Sequence, residues 1–111
     1  MKRGRIISRK FLKDEAGAVL REAGRGNASL VLFGSRAGSR ARAGSDYDLL
    51  VIVERDMTSE ERIGLISRLR SRFAEEAVDA DVIVKSRREV EYYRDKIGHV
   101  VRSALREGVL L

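Results

Sequence analysis

The chain has 111 residues, with 23 Lys and Arg against 17 Asp and Glu and a formal net charge of +6. One domain spanning 1–111 is expected at this length, with a single core and one face of a small sheet left uncovered. Cysteine is absent, which excludes disulfides and thiolate metal sites. No apolar run approaches the roughly 18 to 20 residues of a membrane span. No signal-like apolar stretch follows the basic start Met1-Lys2-Arg3-Gly4-Arg5, so a soluble cytoplasmic protein without membrane association is expected. A surface rich in arginine attracts polyanions. Only 5% of residues are aromatic, and no basic–aromatic alternation marks a base-stacking platform. The charge therefore favours phosphate binding over sequence reading.

Taken in order, helical spacing appears first over Ser8 to Ala23, where Phe11, Leu12, Ala16, Val19, Leu20 and Ala23 share a face. Gly24, Gly26 and Asn27 end it. Ser29 to Phe33 reads as a short buried strand that stops at Gly34. A polar, Gly-rich stretch runs from Ser35 to Ser45, with room for one helical turn. Tyr47 to Val53 is β-branched and apolar at both parities, the clearest strand in the chain. Thr58 with Glu61 forms a capping box for a helix to about Glu76, with Ile63, Ile66, Leu69 and Phe73 as its core face. Val78 to Val84 reads as a third strand. Ser86 with Glu89 makes a second capping box, and helix continues with a break to Arg106. Gly108 closes it, and Val109-Leu110-Leu111 adds a short edge strand. No repeat, linker or low-complexity tract interrupts this order, which predicts an α/β (α+β) fold, a small mixed sheet with helices mainly on one face.

The chemistry concentrates at Phe33-Gly34-Ser35, then ten residues, then Asp46-Tyr47-Asp48-Leu49. Alternate strand residues share a face, so Asp46 and Asp48 project together and Tyr47 turns to the core. Side-by-side carboxylates repel unless cations or solvent neutralise them. Such hard oxygen donors suit Mg²⁺ held together with substrate phosphates. Asp79 and Asp81 on the third strand also share a face, and strand register decides which of them meets the first pair. Three converging carboxylates form a two-metal site for in-line phosphoryl displacement. Gly34 lets backbone approach an anion, Ser35 offers a hydroxyl and an N–H, and Arg36, Arg40 and Arg42 lie where guanidinium groups reach phosphate oxygens. His99 stands without a second imidazole, which makes it an ordinary packing or surface residue.

Phe33-Gly34-Ser35 followed by Asp46-Tyr47-Asp48-Leu49 resembles the signature of the DNA polymerase β-like nucleotidyltransferases. The compact Gly34-Ser35-Arg36-Ala37 and Ser45-Asp46-Tyr47-Asp48-Leu49-Leu50-Val51, with the closing Glu107-Gly108-Val109-Leu110, look most like the minimal nucleotidyltransferase (MNT) subfamily. The resemblance implies the nucleotidyltransferase fold. It also implies that Asp46 and Asp48 bind two Mg²⁺ (or Mn²⁺) ions, with Asp81 as the third carboxylate. Gly34 and Ser35 match the triphosphate-binding turn, and Arg42 the second arginine of the loop. Two departures stand out: Gly38-Ser39 replaces the frequent Arg-Gly, and Asp79 is an extra carboxylate.

Three functions follow as expectations. The first is Mg²⁺-dependent transfer of a nucleoside monophosphate from a triphosphate, ATP foremost, to an acceptor hydroxyl. The second is an antitoxin or partner-binding module, because the resemblance implies pairing with a helical HEPN-type toxin whose tyrosine accepts AMP. Leu50, Ile52 and Ile83 share parity with Asp48 and Asp81, so an exposed apolar face that a homodimer or helical partner covers is expected. The third and weakest is a nucleic-acid-binding module driven by the basic surface.

Overall fold

In the computed structural model, which describes residues 7–38 and 46–111, each described α-helix begins at a side-chain cap. Ser8 accepts from the Phe11 N–H at 3.0 Å and opens α1 (Arg9–Glu22). Thr58 and Glu61 exchange hydrogen bonds of 2.8 and 3.1 Å ahead of α2 (Ser59–Glu75). Ser86 and Glu89 do the same at 2.9 and 3.2 Å for α3 (Arg87–Tyr93). Both capping boxes fall where the sequence predicts them, satisfying N–H groups that the first turn leaves orphaned. At α4 (Val100–Glu107) the cap is His99, whose Nδ1 accepts from the Val101 N–H at 3.1 Å while its ring stacks on Tyr93.

The strands are β1 (Ser29–Phe33), β2 (Tyr47–Val53), β3 (Ala80–Ser86) and β4 (Val109–Leu110), with a 3-10 turn, Gly34–Ala37, after β1. They form one mixed sheet in the order β3-β2-β1-β4. β1 runs antiparallel to β2 and to β4, while β2 and β3 run parallel and are joined through α2.

The third strand starts two residues later than its apolar pattern suggests. Ala77, at φ 57°, takes the left-handed position that ends α2, and the Ala77 and Val78 N–H groups donate back to Ala74 and Phe73. These are the two bonds of a Schellman motif, so Val78 belongs to the helix exit rather than the strand. The core stripe of α2 also differs. Leu65, Leu69 and Phe73, spaced by four, are buried, whereas Ile63 is 68% exposed and Ile66 only half-buried. Helical rotation carries Ile63 away from the Leu65 line.

α1 and α2 cover one face of the sheet, enclosing Leu30, Leu32, Tyr47, Leu49, Val51, Val53, Val82 and Val84. The mixed sheet with its two long helices on one side is the expected architecture. The opposite face is not bare, and this corrects the expectation of an exposed apolar surface. Val90 of α3 with Val101 and Ala104 of α4 packs onto Val31, Leu50 and Ile52, leaving Leu50 1% and Ile52 4% accessible. The chain itself thus supplies the cover for which another protein was expected. No helix among the described residues is long and apolar enough to cross a membrane. Leu50→Ala is expected to cost about 2–5 kcal/mol in urea unfolding, as in a closed core. A bare face would hold the loss near about 0.5 kcal/mol.

Candidate active site

The site is built at one end of the sheet by strand register. β2 and β3 pair so that Asp48 lies directly opposite Asp81 and Tyr47 opposite Ala80. One step earlier, the Tyr47 N–H donates to the Asp79 carbonyl at 2.9 Å, which places Asp79 across from Asp46. Side chains two apart share a face, so Asp46, Asp48 and Asp81 emerge on one side of the sheet, and Asp79 joins the row of Asp46. The register thus sets Asp81, rather than Asp79, beside Asp48. Asp46 and Asp81 are exposed, and Asp48 is half-buried.

The chain end of β1 reaches the same place. Phe33 pairs with Asp48, and the backbone then turns through Gly34 at φ 71° into the 3-10 turn. A Cβ at Gly34 would overlap the Asp48 carboxylate at Oδ2, so glycine is required here by both conformation and contact. Ser35 follows, exposed on the turn. Gly34 and the Asp48 carboxylate, far apart in sequence, are therefore brought into contact.

Burial raises the Asp48 carboxyl above its ordinary value of 3.8, and the charges of Asp81 and then Asp46 push it the same way. These donors fit a hard divalent cation, since carboxylates already held together in partial burial gain most from a positive charge among them. Among the described residues no group of three His, Cys, Asp or Glu side chains is closed to metal-holding geometry. The carboxylates stand in two ladder rows, Asp46 beside Asp79 and Asp48 beside Asp81.

The arginines fare differently. Arg36 is 8% exposed, and its guanidinium lies 4.3 Å from the centre of the Tyr47 ring. Tyr47 faces the α1–α2 core and accepts from the Ile7 N–H through its hydroxyl. Arg36 is thus directed to the face away from the carboxylates, where its contact with the ring braces the turn. Arg40 and Arg42 lie outside the described residues.

Sequence reasoning missed the groove beside the site. It holds about 620 Å³ and is lined by Asp46, Asp79 and Asp81 at one side and by Ile63, Ser67 and Arg70 of α2 at the other. Ile63 was the available signal, an isoleucine off the Leu65–Leu69–Phe73 line, but its spacing also suits a core position.

A glycine turn set against an Asp-x-Asp strand, with the second aspartate facing a third from a parallel neighbour, defines a nucleotidyltransferase-type domain. The family model described as "Polymerase beta, Nucleotidyltransferase" matches residues 27–107. The chain belongs to that family. No curated protein matches it in sequence.

Two outcomes are expected. Asp48 titrates above its ordinary value, so its ionisation penalises the fold; that penalty is absent well below pH 3.8, grows as pH rises through the raised value, and is complete above it. Asp48→Asn should therefore raise the metal-free Tm at pH 7 by about 2–5 °C, with the gain vanishing in acid. Gly34→Ala should cost about 1–3 kcal/mol, since it adds a strained positive φ to a collision with Asp48. Thermal melts across pH and urea titrations check both.

Proposed function

We propose that the chain transfers a nucleoside monophosphate from a nucleoside triphosphate, ATP foremost, to an acceptor hydroxyl. The acceptor oxygen bonds to the α-phosphorus, the bond from that phosphorus to the bridging oxygen of pyrophosphate breaks, and the hydroxyl proton leaves to Asp81 or solvent. The observation that carries this reading is the pairing of Asp48 with Asp81 beside Gly34. Asp46 and Asp48 would hold two Mg²⁺ ions, with Mn²⁺ as substitute, and Asp81 would complete one of the two sites. When bound, such ions neutralise charge on the reacting and leaving phosphates.

The protein's own part is positioning. Gly34 admits the triphosphate close to the backbone, and Ser35 offers a hydroxyl and an N–H to it. Arg42 joins them on the strength of the MNT resemblance. Arg36 supports the turn from beneath through Tyr47. Asp81, exposed on the sheet-edge strand, is where an incoming hydroxyl arrives.

The acceptor we propose is a hydroxyl on another protein, in the first instance a helical HEPN-type partner in an antitoxin role, with a second copy of this chain as the alternative. Ile63, 68% exposed on the groove that reaches Asp81, favours a protein over a small polar acceptor.

Incubation with α-labelled triphosphates, Mg²⁺ and the helical partner tests the proposal. Label should pass to the partner with wild-type chain. The Asp46→Asn/Asp48→Asn double variant should stay folded yet transfer at least about a hundredfold more slowly. Undiminished labelling by that variant would remove the assignment. Tight partner binding with no label from the wild type would favour a binding module instead.

A further inference from the structure

The groove between α2 and β3 ends at the carboxylates but extends well beyond them, and three features mark it. The first is a sheet edge. β3 is the outermost strand, with no described strand beyond it. In a parallel ladder, successive residues turn their N–H and C=O groups to opposite sides. The Asp79 carbonyl accepts from Tyr47, so Asp79, Asp81 and Ile83 address β2, and Ala80, Val82 and Val84 face outward. Arg62 Nη1 donates to the Val84 carbonyl at 2.6 Å, which agrees with this parity and closes that end of the edge. Among the described residues no strand pairs with the outer side of the stretch beside Asp81, where Ala80 lines the groove and the Val82 side chain is buried in the core.

The second feature is apolar. Ile63 and Ile66 line the groove from α2, on the opposite side of the sheet from the carboxylate face. The groove therefore wraps the free edge and touches both faces. The third is charge: Asp79, which has no part in the proposed metal set, lines the groove with Asp46 and Asp81, and Arg70 stands across from them. Three carboxylates disfavour a phosphate backbone, while facing walls of opposite sign suit a chain of amide dipoles carrying mixed side chains.

We infer that this groove takes an extended polypeptide segment, which adds to the β3 edge at Ala80–Val82 and delivers its acceptor hydroxyl to Asp81. The inference rests on the proposed transfer reaction for the word acceptor, but the docking stands on the edge and groove alone. Strand alternation fixes the recognised pattern: a Ser, Thr or Tyr pointing to the carboxylate face, with apolar residues on both sides of it pointing to Ile63 and Ile66. Backbone pairing supplies affinity, and the two apolar neighbours supply selection.

The test uses the full chain without nucleotide and a pool of capped octapeptides with valine or leucine on both sides of a central serine or tyrosine. Amide hydrogen exchange by NMR should slow at Ala80 and Val82 by about fivefold or more on saturation. Ile63→Glu, a change at an exposed position, should abolish that protection while circular dichroism stays unchanged. Unprotected amides at millimolar peptide, or equal protection in Ile63→Glu, would overturn the inference. So would protection by a hydroxyl-ended oligonucleotide in place of the peptides. Peptide protection without any label transfer keeps the docking site and removes the transfer reaction. Labelling of a small alcohol by the wild type, with no protection by the peptides, does the reverse.

Discussion

The parallel pairing of β2 with β3 sets Asp48 opposite Asp81 at the spacing of neighbouring strands, about 5 Å, with Asp46 two residues away on the same side. Charges of one sign at that distance repel, and partial burial of Asp48 sharpens the effect. The rest of the molecule makes the arrangement tolerable. Asp81 sits on an edge strand and Asp46 just before a strand begins, so both remain in water. The burial falls on Asp48 alone, against a glycine that leaves its carboxylate room. A domain that keeps such a cluster forgoes stability at that point.

Holding the cluster in place requires a rigid sheet, and here the two-sided burial matters. Beyond Asp48, every residue of β2 is buried, odd ones against α1 and α2, even ones against α3 and α4. The strand cannot slip by one residue without turning both apolar sets the wrong way. The same packing removes the apolar face as an argument for a partner. What stays exposed beside the chemistry is narrower: Ile63 and the edge of β3. That shifts the question of partner binding from a broad sheet surface to a groove.

Arg36 and Tyr47 show how packing places a side chain in a way that local sequence does not announce. Arg36 follows the Gly-Ser turn directly, where a phosphate contact is the simplest reading, and its chemistry suits that task. The fold instead carries its guanidinium over a core tyrosine, whose hydroxyl also accepts the Ile7 N–H. Turn, strand and helix start are thereby joined below the site. Nothing in the spacing of the two residues announces this, because it depends on how the 3-10 turn packs against the start of β2.

Much was legible beforehand because it is encoded over short distances. Caps such as Ser8, Thr58 with Glu61, and Ser86 with Glu89 act within a few residues, and so did their helices appear where expected. β1 and β2 were legible from uninterrupted apolar runs, and the common side of Asp46 and Asp48 from the two-residue period of a strand. Matters that join distant segments were not legible: the start of β3, displaced by the helix exit at Ala77; the exposure of Ile63; the cover of Leu50 and Ile52. The sequence by itself determined the elements and the shared face of Asp46 and Asp48, since both follow from local propensity and strand period. Only the tertiary structure decided that Asp81 rather than Asp79 stands beside Asp48, that Arg36 turns inward, and that the second face is closed. Each of these depends on register and packing between segments far apart along the chain, and no local pattern contains that information.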